Sequence, residues 1–252
     1  MHARRGLAAL ACAAALAASG RAVAQAGGGQ TSGGQAGGGQ AGGGQAGQRR
    51  VGDLWFDPTQ LPSFTGTVER YLLNPQGQTD ALLFREGPQI VFPPDMAEHV
   101  RGAAPPGRPL TVWGVRARSA PVITMLAFSA NADSTPRVVE RPYWRQVGRQ
   151  PQAEAGRIAA AGSVRQPYWS PQGEVVGAVL DDGTVVLLPQ GLAASAEGLR
   201  DLLKPGAKLA AEGLGSATAA AEGVAAQRAL VADRLGESPE ALRPLPAPAP
   251  SR

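Results

Sequence analysis

The chain has 252 residues, 43% hydrophobic and 5% aromatic, with 24 basic, 20 acidic and 2 histidine residues. This length corresponds to one or two domains. One cysteine and two histidines exclude a disulfide framework and a cysteine- or histidine-rich metal cluster, so we expect no metal and no other cofactor. No stretch beyond the N-terminus reaches the roughly 18 unbroken apolar residues that a membrane-spanning helix needs.

Residues 1–25 form the pattern of a secretory signal peptide. A basic start and an Ala- and Leu-rich apolar segment precede Ala22-Val23-Ala24, the small-residue pattern that a signal peptidase accepts. We expect cleavage near residues 24–26, which removes three arginines and leaves a nearly neutral mature chain without a transmembrane segment. The predicted location is periplasmic or secreted, with a lipid anchor at Cys12 as the alternative.

Three segments are set apart from the rest of the chain by their glycine, proline or polar composition. Residues 26–50 consist mostly of Gly/Gln repeats and are predicted to be a disordered tether. Residues 237–252 are rich in proline, which predicts a disordered, extended tail. Residues 129–158 are polar, contain several arginines and prolines, and are interpreted as a linker between two folded modules at 52–128 and 159–236.

The two modules are copies of one pattern. Their matching glycines and prolines indicate a duplication, because each such residue marks a turn conformation that chance similarity of apolar runs would not reproduce. The matched groups are Gly66-Thr67-Val68 with Gly162-Ser163-Val164, Asn74-Pro75-Gln76-Gly77 with Ser170-Pro171-Gln172-Gly173, Glu86-Gly87 with Asp182-Gly183, Phe92-Pro93 with Leu188-Pro189, Pro106-Gly107 with Pro205-Gly206, and Gly114 with Gly213.

Within each module, turn residues separate short β-rich runs, which predicts five strands and one helix. In the first module a capping box at Asp95 and Glu98 predicts the helix start. The predicted strands are 65–73, 81–85, 89–92, 110–115 and 122–128 in the first module, and 164–169, 175–180, 184–188, 209–212 and 228–231 in the second. Leu192, Ala196, Leu199 and Leu203 recur at helical spacing and predict the helix of the second module.

The order strand–strand–strand–helix–strand–strand is that of the OB-fold, a small Greek-key barrel. We therefore expect a mainly β protein with two tandem OB-fold-like five-stranded barrels, each with one short helix, flanked by disordered segments. The continuous apolar runs 82–84 and 185–188 favour strands that are covered on both sides. A pair of SH3-like barrels is the alternative, although such barrels rarely have a helix at this point.

The stretch 61–115, with Gly66-Thr67-Val68, Tyr71-Leu72-Leu73-Asn74-Pro75 and Phe92-Pro93-Pro94, resembles a group of exported bacterial proteins of unknown function. The same pattern, shortened, covers 162–213. The resemblance implies tandem OB-fold-like modules and an exported protein of a Gram-negative-type bacterium, and it implies no catalytic residues.

The sequence gives little support to an enzyme. Nucleophilic catalysis needs a nucleophile beside a base, but the only cysteine precedes the expected cleavage point, and His99 is then the only histidine left. The carboxylates of Asp181 and Asp182 precede Gly183 between two apolar strands, which is a hairpin-turn signal. We therefore expect no catalytic residues.

A binding role has more candidate residues. OB-folds bind ligands on the face of strands two and three, and nucleic-acid binders add stacking aromatic and basic residues there. The candidate ligand contacts are Tyr71, Phe84, Arg85 and Trp113 in the first module, Tyr143 and Trp144 in the linker, and Tyr168 and Trp169 in the second module. The alternative interpretation of Trp113 and Trp169 places them in the barrel cores.

These observations favour a non-enzymatic exported binding or interaction protein. The expected ligand is an envelope protein, a peptide or a glycan. The alternative function is binding of single-stranded nucleic acid through the first module and the linker. The second module opposes this alternative, because residues 162–236 contain more acidic than basic groups and phosphate would be repelled.

Overall fold

A computed structural model describes residues 57–141, 156–190, 192, 198–219 and 226–246. These residues form a mainly β protein with two closed five-stranded barrels and few helical residues, which confirms the predicted fold class. The predicted signal peptide and tether lie outside the described residues.

Barrel 1 has the predicted order of elements. Its strands are β1 (Ser63–Leu73), β2 (Thr79–Phe84), β3 (Gln89–Val91), β4 (Pro109–Arg116) and β5 (Val122–Ser129), and β6 (Arg137–Val138) is added to β5. A 3-10 turn, Pro94–Met96, leads into helix α1 (Ala97–Ala103) between β3 and β4.

Barrel 2 repeats this order, with longer first, fourth and fifth strands. Its strands are β7 (Gly156–Trp169), β8 (Val175–Leu180), β9 (Val185–Leu187), β10 (Lys208–Thr218) and β11 (Gln227–Gly236), and β12 (Arg243–Pro244) is added to β11. Helix α2 (Leu199–Leu202) lies between β9 and β10. Of the residues that predicted this helix, Leu199 lies in it, Leu203 is its C-cap and Leu192 precedes it, while Ala196 is outside the described part of the chain.

Both barrels have the same set of strand pairings, although the two strand orders below start at different strands of the ring. Barrel 1 has the strand order β3-β2-β1-β4-β5 and closes by parallel pairing of β3 with β5. Barrel 2 has β10-β7-β8-β9-β11 and closes by antiparallel pairing of β10 with β11. The two orders are equivalent, since in each barrel the first strand pairs with the second and fourth, and the third with the fifth. This is an OB-fold arrangement.

The duplication extends to the irregularities of the strands. The first strand of each barrel has a bulge directly after Val68 or Val164. The fifth strand has one at Leu126 or Asp233, opposite the step into Gly114 or Gly213 of the fourth strand. A bulge bends a strand, which allows one strand to pair on both sides of a small barrel. The matched sequence positions therefore correspond to matched backbone geometry.

Turn chemistry explains the hairpins that the sequence predicts. The side chain of Asn74 accepts hydrogen bonds from the backbone N–H groups of Gln76 and Gln78, at 3.1 and 2.9 Å. In barrel 2, Asp182 accepts from the backbone N–H of Thr184 at 2.8 Å, and Gly183 has a φ of 89°. Such side chains mimic a backbone turn partner, and glycine adopts positive φ without strain.

Four local predictions need correction. Asp95 and Glu98 form no capping box, because the 3-10 turn places Pro93 and Met96 at the cap positions. The range predicted as linker, 129–158, contains β6 and the start of β7, and Val139 is fully buried in the core of barrel 1.

Residues 237–246 of the predicted disordered tail are also folded. Residues 243–244 pair with β11, and Leu245 packs against the core of barrel 2 while its N–H donates to Asp233 O at 2.8 Å. Pro244 is tolerated there because an edge strand can omit a donor. The predicted fourth strand of module 2, 209–212, continues to Thr218, since pairing with β11 resumes at Gly213 after a bulge at Asp233 of β11.

Candidate functional site

The outer surfaces of the two barrels meet in an apolar layer, here called the inter-barrel cluster. Barrel 1 contributes the outward side chains of β1, β2, β3 and β5, and barrel 2 contributes those of β7, β8, β9 and β11. Its buried residues are Leu72, Leu73, Ala81, Leu83, Val91, Ala120, Val122, Val179, Val185 and Ala229, with Ala117, Tyr168, Trp169 and Leu187 packed against them.

The inter-barrel cluster is pseudo-symmetric. Leu72 and Leu73 occupy the repeat positions of Tyr168 and Trp169, and all four contact the cluster. Leu83 with Val179, Val91 with Leu187, and Val122 with Ala229 are further equivalent pairs in it. Each barrel therefore uses the same patch of its surface, as the subunits of a two-fold dimer do.

Turns and loops add further pseudo-symmetric contacts between the barrels, one at each end of the inter-barrel cluster. The Ser216 hydroxyl of barrel 2 donates to Pro75 O in the β1–β2 turn of barrel 1 at 2.9 Å. At the equivalent place, the turn at Gly173 of barrel 2 lies so close to the β4–β5 loop that an added Cβ would be 2.9 Å from Ser119 Oγ. The first turn of each barrel thus contacts the fourth-to-fifth-strand region of the other.

Polar contacts orient the two barrels. Arg70 of barrel 1 donates to Asp181 O of barrel 2 at 2.8 Å, and Arg165 of barrel 2 forms an ion pair with Glu69 at 2.7 Å. Gln227 Nε2 donates to Tyr71 O at 2.9 Å. Hydrogen bonds require specific donor and acceptor positions, so these contacts select one orientation of the apolar surfaces.

This packing covers the surface that OB-folds most often use for ligands. Strands two and three of each barrel face the other barrel, and Leu83, Val91, Val179 and Val185 are all buried there. A ligand on this face would have to displace the partner barrel.

Tyr71 and Phe84 were expected to contact a ligand, but both lie inside barrel 1. Phe84 is buried in the core, and the Tyr71 hydroxyl donates to Ala104 O at 2.8 Å. Burial raises the pKa of the Tyr71 hydroxyl, which keeps it a neutral donor. The reason is strand alternation: side chains of β1 and β2 that point away from the inter-barrel cluster point into the barrel.

The other candidate residues are dispersed. Tyr168 and Trp169 pack at the inter-barrel cluster, Trp113 is half-buried on β4, and Arg85 is exposed beside the β2–β3 turn. Trp113 and Trp169 are also absent from the buried cores of the two barrels. Tyr143 and Trp144 lie outside the described residues. Nothing in the described residues brings these side chains together into one site.

The structure places an open cleft elsewhere, at the end of barrel 2. It has a volume of about 880 Å³ and lies between the β7–β8 hairpin, the end of β9 and α2, and we call it the α2 cleft. This volume is within the range of ligand pockets. Its walls are mainly aliphatic and include Val175, Val176, Leu187, Leu188, Leu203 and Val231.

The corresponding region of barrel 1 is filled. The ring of Tyr71 lies there beneath Arg101, whose guanidinium carbon is 5.3 Å from the ring centroid. Arg101 also donates to Thr79 Oγ1, and Phe92 is fully buried. The repeat alignment puts Pro167 at the position of Tyr71 and Leu188 at that of Phe92. Barrel 2 therefore lacks the two rings that occupy this region in barrel 1.

The rim of the α2 cleft is charged. Arg200 and Lys204 line it from α2 and the residues after it, and Glu174 lines it from the β7–β8 turn. Lys204 forms an ion pair with Asp201 at 2.5 Å. Arg200 corresponds to Arg101 of barrel 1, and among the described residues it has no ion pair. The cleft thus combines an apolar interior with a rim of mixed charge, on which Arg200 is a cation without an ion-pair partner among the described residues.

The cleft is suited to binding. A largely apolar pocket with a few polar groups at its rim buries a ligand's apolar surface and fixes its orientation. Across the described ranges there is no cluster of three or more His, Cys, Asp or Glu residues that could hold a metal ion. Within the same ranges no helix is both long and apolar enough to cross a membrane.

Sequence reasoning missed the α2 cleft, although the signal was present in the repeat. Aligned position by position, Tyr71, Asp80 and Phe92 of barrel 1 become Pro167, Val176 and Leu188 of barrel 2. Loss of two aromatic rings and a buried polar group at neighbouring positions marks a region that one copy fills and the other leaves open.

Fold and site together define a protein of two tandem OB-fold-like barrels, packed face to face, with an open apolar cleft at the end of barrel 2. A scan against protein-family models matches no family, and a search of curated proteins finds no match.

Proposed function

We propose that the protein is a non-enzymatic, exported binding or interaction protein of the bacterial envelope. Its paired barrels form the scaffold, and the α2 cleft is the ligand site. Export rests on the signal-peptide pattern of residues 1–25.

The observation that carries this proposal is the difference between the two barrels. The end of barrel 1 is closed by Tyr71, whereas the same region of barrel 2 is an open cleft with aliphatic walls. Exposed apolar concavities favour binding, because a ligand that covers them releases water from apolar surface.

A protein or peptide ligand suits this cleft better than a glycan. Sugar hydroxyls need hydrogen-bond partners when they leave water, and the aliphatic walls formed by residues such as Val176 and Leu188 have none. Apolar side chains of a polypeptide carry no such cost. Nucleic-acid binding has less support, because Tyr71 and Phe84 are inside barrel 1 and cannot stack on bases.

Selection of peptides from a random display library on the mature protein tests the proposal. We expect enriched peptides to lose binding to Pro167→Tyr, which puts the barrel 1 ring into the cleft, and to bind Ala217→Tyr unchanged. Ala217 is exposed on β10 and does not line the cleft, so it controls for the added ring.

Two outcomes would contradict the proposal. Peptides that bind both variants equally well would place the site elsewhere on the molecule. Enrichment of no peptide, together with tight, salt-sensitive binding of single-stranded DNA, would favour nucleic-acid binding instead.

A further inference from the structure

In barrel 1 an aromatic side chain, that of Tyr71, fills the region that is an open cleft in barrel 2. Its Tyr71 ring is buried, its hydroxyl reaches Ala104 O at 2.8 Å, and the Arg101 guanidinium lies over the ring at 5.3 Å. A cation placed within about 6 Å of an aromatic ring centroid is attracted to the ring face. The Tyr71 ring therefore packs against the apolar core and also gives the Arg101 guanidinium an aromatic face to bind.

Barrel 2 keeps the arginine but lacks the ring. Arg200 occupies the repeat position of Arg101 and lines the α2 cleft, while Pro167 occupies the position of Tyr71. Leu203, at the position of Ala104, remains buried beneath the cleft. The cleft thus has an apolar floor and a cation at its rim, the surroundings that Tyr71 has in barrel 1.

We infer that the α2 cleft binds an aromatic side chain of a partner polypeptide, which takes the place that Tyr71 occupies in barrel 1. This inference rests on the proposed function and adds the chemistry of the ligand. The volume of about 880 Å³ admits a tyrosine or tryptophan side chain together with its flanking backbone. The Arg200 guanidinium faces the bound ring, and the aliphatic walls cover the ring edges.

Aromatic rings are favoured over aliphatic side chains for two reasons. A ring gives Arg200 a face to stack on, which an isobutyl group does not. A large ring also covers more of the cleft at a lower cost in side-chain entropy, because only two torsions are fixed.

Methyl NMR spectra of the full mature protein, titrated with N-acetyl-tyrosine amide and separately with N-acetyl-leucine amide, provide the test. Aromatic rings shift nearby methyl resonances through ring currents, so the bound position is read directly. We expect upfield shifts confined to methyls of Val175, Val176, Leu187, Leu188 and Leu203, and affinity for the tyrosine probe about fivefold above that for the leucine probe.

Three variants sharpen the result. Pro167→Tyr is expected to shift the same methyls without any probe and to abolish titration, whereas Ala217→Tyr leaves titration intact. Arg200→Gln is expected to reduce the preference for the tyrosine probe to about twofold or less. Arg200 is exposed, so this change leaves the thermal unfolding of the protein unaltered.

Equal or tighter binding of the leucine probe at the cleft methyls would overturn the aromatic inference and leave the proposed function intact. The same holds for a preference that Arg200→Gln does not change. Absence of shifts at these methyls with both probes would overturn the inference and, with loss of peptide selection, the proposed function as well.

Discussion

The side-chain amide of Gln89 forms two reciprocal hydrogen bonds with the main chain of Trp169. Gln89 Nε2 donates to Trp169 O at 2.9 Å, and Trp169 N donates to Gln89 Oε1 at 3.1 Å. The amide thus completes a β-type pair between β3 of barrel 1 and β7 of barrel 2. Gln89 is fully buried, so neither hydrogen bond can be replaced by water without separating the barrels.

Replacement of this glutamine is the first prediction. We expect Gln89→Leu to lower the free energy of unfolding by about 2 kcal/mol, because the Trp169 N–H and C=O lose their partners at the contact between the barrels. Urea denaturation followed by tryptophan fluorescence measures the change. Gln172→Leu, at an exposed turn position, is the matched control and should change stability by less than about 0.5 kcal/mol. A similar effect of both substitutions would show that Gln89 does not join the barrels.

Much of the fold could be predicted because turns are encoded locally. Glycines and prolines repeated at matching positions located the hairpins between the first three strands of each barrel, and apolar runs between them located the strands. Gly77 and Gly173 have φ values of 82° and 90° in equivalent turns, which is the backbone conformation that their conservation between the repeats predicts. The apolar runs 82–84 and 185–188 also predicted strands covered on both sides.

The sequence did not reveal what covers the outer face of these strands, because that depends on contacts between residues that are distant in the chain. A buried residue such as Leu83 has the same sequence signature whether it faces the barrel interior or another barrel. Aromatic residues were ambiguous for the same reason. Tyr71 was a candidate ligand contact by residue type, and only strand alternation and the position of Ala104 place it inside.

The second prediction concerns the fourth-strand glycines that lie beside the bulges of the fifth strands. A Cβ on Gly114 would lie 2.1 Å from Thr124 O, and one on Gly213 would lie 1.9 Å from Val231 O. We expect Gly114→Ala and Gly213→Ala each to destabilise the protein by about 2–3 kcal/mol, since the backbone of the neighbouring strand must move.

The control for these substitutions is Gly102→Ala. Gly102 lies in α1, and an added Cβ would meet nothing within 4 Å. Alanine favours helix over glycine by about 1 kcal/mol, so this variant should be slightly more stable than the parent in thermal melts. Equal stability of all three variants would contradict the bulge geometry.

The third prediction concerns the buried carboxyl of Asp80. Burial raises the pKa of Asp80 to about 7, although a hydrogen bond from Asn74 at 3.0 Å opposes the shift. Oδ1 has no hydrogen-bond partner among the described residues. The folded state therefore prefers the protonated form, whereas the Asp80 carboxyl of the unfolded chain has the ordinary pKa of 3.8.

The sign of the pH dependence follows from this difference. The contribution of Asp80 to stability is fully present below pH 4 and is lost as the pH rises to about 7. Asp80→Asn removes this titration. The variant should therefore melt at the same temperature as the parent near pH 4 and at a higher temperature at pH 8. The difference in the free energy of unfolding at pH 8 should be at most about 4 kcal/mol. A constant difference across this pH range would rule out a raised pKa for Asp80.

The pseudo-symmetric interface allows a fourth prediction with an internal control. Leu83 and Val179 are equivalent and buried between the barrels, whereas Val115 and Leu214 are equivalent and 51% and 56% exposed. Leu83→Glu and Val179→Glu each place a carboxylate in the apolar layer, which should cost about 3 kcal/mol or more. Val115→Glu and Leu214→Glu leave the new charge in water and should change stability by less than about 0.5 kcal/mol.

Urea denaturation gives the stabilities, and small-angle X-ray scattering of the mature protein reports whether the barrels separate. Because each barrel has its own closed sheet and core, we expect the two interface variants to show a larger radius of gyration with unchanged β content by circular dichroism. The exposed-site variants should scatter as the parent does. If Val179→Glu were tolerated while Leu83→Glu was not, the two barrels would not share one two-fold-like interface, because equivalent positions would then lie in different surroundings.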